Sequence, residues 1–161
     1  MMKLYHGSTV IIDNIDVSFS HIGKDFGYGF YLSDNFDQAF KMAQFKSEQS
    51  AGSSPYVTTF EWDESALVNS ELKCLRFDDY SIEWAEFVLK NRKNTSSQNC
   101  HDYDIVIGPI ANDKVGAQIR RYEFGDITVE QLVSRLKYQK GLTIQYFFAT
   151  PKAIQQLKKY D

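Results

Sequence analysis

The stretch from Asp25 to Asp34, Asp-Phe-Gly-Tyr-Gly-Phe-Tyr-Leu-Ser-Asp, places two glycines around a tyrosine and follows them with an aromatic run and a polar turn. Glycine serves where the backbone needs a positive φ angle or lies against a flat partner. Aromatic rings offer faces for stacking. The stretch predicts a loop that leads into a buried strand and can clamp a planar ligand. An ordinary loop before a strand is the simpler alternative.

The segments on either side extend this pattern. Upstream, Lys3 to His6 reads as a strand that ends at Gly7-Ser8. Downstream, Ser33 or Asp34 can cap a helix that runs from about Asn35 to Glu48. Its predicted apolar face consists of Phe36, Ala39, Phe40, Ala43 and Phe45.

The rest of the chain mixes strands and helices without a regular β-α repeat, which favours an α+β fold in a single domain over residues 1–161. The predicted strands are 56–62, 72–77, 103–107 (ended by Gly108-Pro109) and 143–149. The predicted helices are 82–90 after Asp79 or Ser81, one that begins at Thr128, and one after Thr150-Pro151 that closes the chain over 153–160. The segment 117–122 is ambiguous.

Composition narrows the function classes. Hydrophobic residues make up 43% of the chain, yet no apolar run approaches the ~20 residues of a membrane span. A net charge of −3 gives no global basic field for nucleic acid, and the local basic clusters are typical of solvated faces. The chain begins without a signal peptide, so we expect a cytoplasmic protein with reduced Cys74 and Cys100. The histidines lack metal-ligand spacing, and we expect no metal and no membrane partner.

Tyr5-His6-Gly7-Ser8, about twenty residues before the glycine-aromatic stretch, is the first segment that can carry chemistry. A strand end of this kind presents an imidazole, a backbone open to close approach and a hydroxyl. These groups suit a carboxamide or a ribose hydroxyl. The structural alternative is a partly buried His6 that is hydrogen-bonded to the backbone.

Taken in order, the two segments resemble the first two signatures of the diphtheria-toxin and poly(ADP-ribose) polymerase branch of the ADP-ribosyltransferases. With 103–111 and 145–150, the chain is more closely similar to a bacterial family of uncharacterised small proteins within that superfamily, and the likeness spans nearly the whole chain. The resemblance implies an ADP-ribosyltransferase-like fold in which two small, mainly antiparallel sheets form a cleft between flanking helices. It also implies NAD as the substrate.

The resemblance assigns roles residue by residue. His6 matches the histidine that holds the ribose beside nicotinamide. Gly7 matches the glycine whose backbone holds the carboxamide, and Ser8 matches the serine that follows this glycine. Tyr31 takes the place of the tyrosine that stacks on nicotinamide. The remaining candidates for contacts with NAD are Gly27, Tyr28, Gly29 and Phe40. Phe40 lies close to Ala39 and Met42, the positions that alignment from Tyr31 gives to the second wall of the pocket.

The third signature of the superfamily is a glutamate, and Gln145 stands at the matching strand position. A glutamine can orient a ribose but cannot act as a general base, so polymer elongation is not expected. Glu61, Glu123 and Glu130 are the candidates for a carboxylate from elsewhere, and Arg92 can meet the pyrophosphate if it lies near the site. Alternatively, Gln145 is simply a solvent-facing strand residue.

Together these features predict a mono-ADP-ribosyltransferase or NAD glycohydrolase with His6, Tyr31 and Gln145 as the catalytic candidates. The resemblance implies the context of a toxin with a cognate antitoxin, and an acceptor that is a protein or a nucleic acid. The alternative is a catalytically inactive module on the same fold that binds NAD or a protein partner.

Overall fold

One mixed sheet of seven strands forms the centre of the protein. Its structure is a computed structural model that describes residues 1–69, 71–111, 113–137 and 142–161. The strands are β1 Met2–Ser8, β2 Phe30–Ser33, β3 Tyr56–Trp62, β4 Cys74–Arg76, β5 Ile105–Pro109, β6 Ile144–Phe148 and β7 Lys158–Lys159. Their spatial order is β4-β5-β6-β2-β1-β3-β7, with β4 and β5 parallel and the other neighbours antiparallel. The α+β class is confirmed, but the described strands form one sheet instead of the two small sheets that we expected.

Six helices of the described chain surround this sheet: α1 Phe36–Glu48, α2 Ala66–Asn69, α3 Ile82–Lys93, α4 Asp113–Glu123, α5 Val129–Lys137 and α6 Pro151–Ile154. A short 3-10 helix covers Val17–Phe19. Short polar side chains cap four of the described helices: Asn35 caps α1, Ser81 caps α3, Thr128 caps α5 and Thr150 caps α6. The prediction of Ser33 or Asp34 as the cap of α1 was wrong by one or two residues, because the side chain of Asn35 accepts from the Gln38 amide.

The last element departs from the sequence prediction. The helix expected over 153–160 ends at Ile154, and Lys158–Lys159 forms β7 instead. This strand pairs with β3, and the Tyr160 amide donates to the Thr59 carbonyl at 2.9 Å. The open edge of β3 thus provides backbone partners that a local helix pattern cannot reveal.

Apolar clusters cover both faces of the sheet, as β6 shows. Phe147 packs into the cluster that includes side chains of α3, α4 and α5, while Tyr146 and Phe148 pack into the cluster on the opposite face. Apart from Gln145, every residue of β6 is aliphatic or aromatic, as expected of a strand that is buried on both faces. This is why the sequence predicted the strand within 143–149 correctly.

Helix α1 lies unusually close to β1. Only Ala39 and Ala43 of the predicted apolar face are buried, whereas Phe36, Phe40 and Phe45 are exposed. A Cβ atom at Gly7 would lie 1.9 Å from the carbonyl oxygen of Ala39. At this separation small residues fit between helix and strand and phenylalanines do not, so the aromatic residues remain outside.

Candidate functional site

A cleft of about 940 Å³ opens where β1 and β2 separate. Tyr5 pairs with Ser33 across these strands, and Ser33 pairs with Gln145 on β6. Beyond Tyr5, β1 remains paired with β3 and leaves β2. The catalytic candidates His6, Tyr31 and Gln145 therefore come from three neighbouring strands, and all three line this cleft.

His6 reaches the cleft through the gap between β1 and β2. Its ring stacks on Phe30 with centroids 4.3 Å apart, and its Nδ1 donates to the Tyr31 carbonyl at 2.7 Å. Because a carbonyl oxygen can only accept, Nδ1 carries the proton and Nε2 of the neutral ring is an acceptor. Burial is the main factor that lowers the pKa of His6 to about 4, with Lys46 and Lys24 adding to the effect. His6 is thus bound to the backbone, as the structural alternative held, and is neutral at pH 7.

Tyr31 anchors the loop in front of β2 as well as lining the cleft. Its hydroxyl donates to the Gly27 carbonyl at 2.6 Å and accepts from the Phe26 amide at 3.1 Å. Its ring packs against Phe147 with centroids 4.8 Å apart, and Lys24 Nζ lies 4.6 Å from the ring centroid. A planar ligand that stacks on the face of Tyr31 next to Lys24 has to displace that ammonium group.

Gln145 is buried in the cleft and is not the solvent-facing residue of the alternative interpretation. Its Nε2 lies 3.4 Å from Asp25 Oδ2 and 3.5 Å from the Pro109 carbonyl. Asp25 is held in turn by Arg92, whose Nε lies 2.9 Å from Oδ1, and by the Ala111 amide at 3.2 Å. Asp25 thus places a carboxylate beside Gln145, whereas Glu61, Glu123 and Glu130 do not line the cleft.

Two lysines give the cleft positive charge. Lys46 Nζ donates to the Gly7 carbonyl at 2.8 Å. Burial, followed by the charge of Lys24, lowers the pKa of Lys46 to about 8. Burial also lowers the pKa of Lys24, although the nearby carboxylate of Asp25 opposes this. Two ammonium groups that are partly removed from water and repel each other are suited to an anionic ligand.

The binding candidates divide into two groups. Gly7, Ser8 and Gly29 line the cleft together with Ala39 and Met42. Gly29 has to be a glycine, because a Cβ atom there would lie 2.4 Å from the Phe147 ring.

Gly27, Tyr28 and Phe40 do not line the cleft. Gly27 has φ +108 and faces Asn99, which also exchanges two hydrogen bonds with the backbone of Tyr28. Phe40 stacks with Phe36 on the exposed side of α1. These three residues therefore shape the surroundings of the cleft instead of its wall.

Sequence reasoning missed Lys24, Asp25 and Lys46, which the structure places in the cleft. Asp25 and Lys24 adjoin the glycine-aromatic stretch, but nothing in a local pattern shows that a loop charge folds back over β6. Arg92, which we expected to meet the pyrophosphate if it lies near the site, lines the cleft and forms an ion pair with Asp25.

The described residues contain no group of three or more histidine, cysteine, aspartate or glutamate residues that could hold a metal ion. No helix among them has both the length and the apolar character needed to cross a membrane.

The chain belongs to the family described as protein of unknown function (DUF3990), whose sequence profile matches residues 2–159. Neither a curated protein nor a solved structure matches the chain.

Proposed function

We propose that this member of the DUF3990 family cleaves the bond between nicotinamide and ribose in NAD, as a mono-ADP-ribosyltransferase or an NAD glycohydrolase. One observation carries the proposal: His6, Tyr31 and Gln145, which lie up to 139 positions apart in the sequence, line the same cleft. The volume of about 940 Å³ lies within the ordinary range of ligand pockets, roughly 300–1,000 Å³.

The polar groups fit the parts of this substrate. Nε2 of the neutral His6 accepts a hydrogen bond from a ribose hydroxyl. Gln145 orients the same ribose but cannot remove a proton, which favours a single transfer over elongation of a polymer. The ammonium groups of Lys24 and Lys46 attract the pyrophosphate. When Lys24 turns toward a phosphate, it clears the face of Tyr31 for nicotinamide.

Release of nicotinamide from NAD tests the proposal, because water alone is enough as an acceptor. We expect release by the wild type and its loss in His6→Ala, which removes the acceptor Nε2. Lys24→Met should weaken binding of ADP-ribose by about tenfold, equivalent to about 1.4 kcal/mol. Lys93→Met, at an exposed position on α3, is the matched control and should leave binding unchanged. If NAD yields no nicotinamide and does not shift the melting temperature of the wild type, the proposal is wrong.

The exposed aromatic residues of α1 favour a second candidate function, an inactive module that binds NAD or a protein partner. Phe36 and Phe40 are 50% and 37% exposed and stack on each other, and exposed apolar side chains that lie together mark binding surfaces. Under this alternative NAD binds without turnover, and Gln145→Glu confers cleavage.

The proposed transfer needs an acceptor, and the resemblance adds a cognate antitoxin as a partner. A protein acceptor, a nucleic-acid acceptor and a cognate antitoxin are each compatible with a cleft that is open to solvent. Binding of a nucleic acid should fall steeply with salt as counterions are released, which distinguishes it from a protein acceptor.

A further inference from the structure

Asp25 is a charged residue that contacts the side-chain amide of Gln145. Its carboxylate has one oxygen on Arg92 and the other on the Ala111 amide and Gln145 Nε2, at 2.9, 3.2 and 3.4 Å. The Asp25 side chain is 15% exposed and lines the cleft. A carboxylate therefore stands beside the strand position at which Gln145 replaces the expected glutamate, although it comes from the loop before β2.

These contacts also fix the orientation of the Gln145 amide. Asp25 Oδ2 and the Pro109 carbonyl, 3.4 and 3.5 Å from Nε2, act as acceptors. The amide nitrogen must face them, so Oε1 points the other way. No donor from the described part of the chain binds Oε1, which leaves this oxygen as an acceptor for a ligand hydroxyl.

We propose that Asp25 is a positioning residue for cleavage of NAD and that Asp25 and Gln145 together replace a single strand glutamate, an inference that rests on the proposed function. Asp25 holds the Gln145 amide so that Oε1 faces the ribose. It also supplies the negative charge that opposes the positive charge developing on that sugar.

In the reaction, the bond between C1′ of the ribose and the nicotinamide nitrogen breaks. Its electron pair goes to that nitrogen, so the pyridinium becomes neutral nicotinamide and the positive charge passes to the ribose. The oxygen of water or of an acceptor hydroxyl then forms the new bond to C1′ and loses its proton to solvent.

The pair also explains why a glutamate is absent from position 145. A second carboxylate there would lie close to Asp25, and two neighbouring carboxylates resist ionising together. The charge can therefore occupy the loop or the strand, but not both. This arrangement predicts that exchanging the two side-chain types preserves the function.

The test measures nicotinamide release and the melting temperature for the wild type, Asp25→Asn, Gln145→Glu and the double variant Asp25→Asn/Gln145→Glu. We expect Asp25→Asn to slow release by about 10²-fold, as loss of an electrostatic group commonly does. Gln145→Glu should also slow release, because it pairs two carboxylates. The double variant should recover to within about tenfold of the wild type, since one carboxylate and one amide are present again. Asp102→Asn, which removes an exposed ion pair to Lys73, is the control for general loss of charge.

The possible results separate the two proposals. If the wild type is active and Asp25→Asn keeps its rate, or if the double variant stays as slow as Asp25→Asn, the role of Asp25 is refuted while NAD cleavage stands. Gln145→Glu tests the pair even if Asp25→Asn does not fold, because a rate at or above that of the wild type refutes the proposal. A wild type that neither binds nor cleaves NAD refutes the proposed function and this inference with it.

Discussion

Substitution of Gly7 by alanine tests the packing that brings α1 onto β1. The new Cβ would lie 1.9 Å from the Ala39 carbonyl oxygen and 2.9 Å from the Ala43 amide nitrogen. Both are backbone atoms, so no side chain can rotate away and α1 has to retreat by about 1 Å or more. Overpacking that shifts the backbone costs about 1–3 kcal/mol. For a chain of this size each kcal/mol lowers the melting temperature by about 2–4 °C.

Gly116→Ala is the matched control within α4. There the nearest atom to a new Cβ is the end of the flexible Arg120 side chain, at 3.6 Å. Alanine is favoured over glycine in a helix interior by about 0.8–1.0 kcal/mol, so this variant should melt above the wild type. Differential scanning calorimetry of the three proteins gives the comparison. A Gly7→Ala protein that melts within about 1 °C of the wild type would refute the close packing of α1 on β1.

Three further predictions concern the titrating and anchoring groups of the cleft. The pKa of His6 is about 4 in the folded protein, against an ordinary value of 6.5, so the unfolded chain binds more protons between pH 4 and pH 6.5. The stability that neutral His6 contributes is at most about 3 kcal/mol. It should be fully present above pH 6.5 and be lost as the pH falls toward 4. His6→Gln should reduce the dependence of the melting temperature on pH between pH 4 and pH 6.5, and His21→Gln at an exposed position is the control. If the melting temperature of His6→Gln changes with pH as steeply as that of the wild type, the burial of His6 is refuted. Tyr31→Phe removes the hydroxyl that binds the Phe26 amide and the Gly27 carbonyl, so the free energy of unfolding measured in urea should fall by about 1–3 kcal/mol. A fall below about 0.5 kcal/mol would show that these hydrogen bonds do not anchor the loop. Since the pKa of Lys46 is about 8, binding of ADP-ribose at pH 8 should take up protons, and the measured binding enthalpy should change with the ionisation enthalpy of the buffer. Lys46→Met should abolish this dependence on the buffer. Proton uptake that persists in the variant would assign the uptake to another group.

The sequence reveals those parts of the fold that depend on local pattern. The aliphatic and aromatic residues of 143–149 predicted the strand β6, and Thr150-Pro151 predicted the start of α6. The face of α1 was misjudged, because helical periodicity counts phenylalanine and alanine alike as apolar. The presence of Gly7 beneath the helix decides that only the alanines fit. This contact joins residues more than thirty positions apart, beyond the reach of any local pattern.

The sequence predicted part of the candidate site. The types of residue in the motifs and the order of the motifs along the chain identified His6, Tyr31 and Gln145, and these residues line one cleft. The charges around them were not foreseen, because the neighbours of Asp25, namely Arg92, Ala111 and Gln145, lie 67 to 120 positions away. Only the fold determines which loop charge meets which strand.

The stretch from Asp25 to Asp34 is a fixed support of the cleft and not a mobile clamp. Phe26 is fully buried in the core, and its carbonyl is bound by His101 at 2.7 Å. The Tyr31 hydroxyl holds Gly27, and Arg92 holds Asp25. Bonds at so many points fix the backbone before any ligand arrives, so binding does not have to order the loop and loses little conformational entropy there. Rearrangement on binding is then confined to side chains, above all Lys24, whose ammonium group lies over the Tyr31 ring. A support of this kind can hold the Asp25 carboxylate at a constant distance from Gln145 through a reaction, which a flexible loop cannot do.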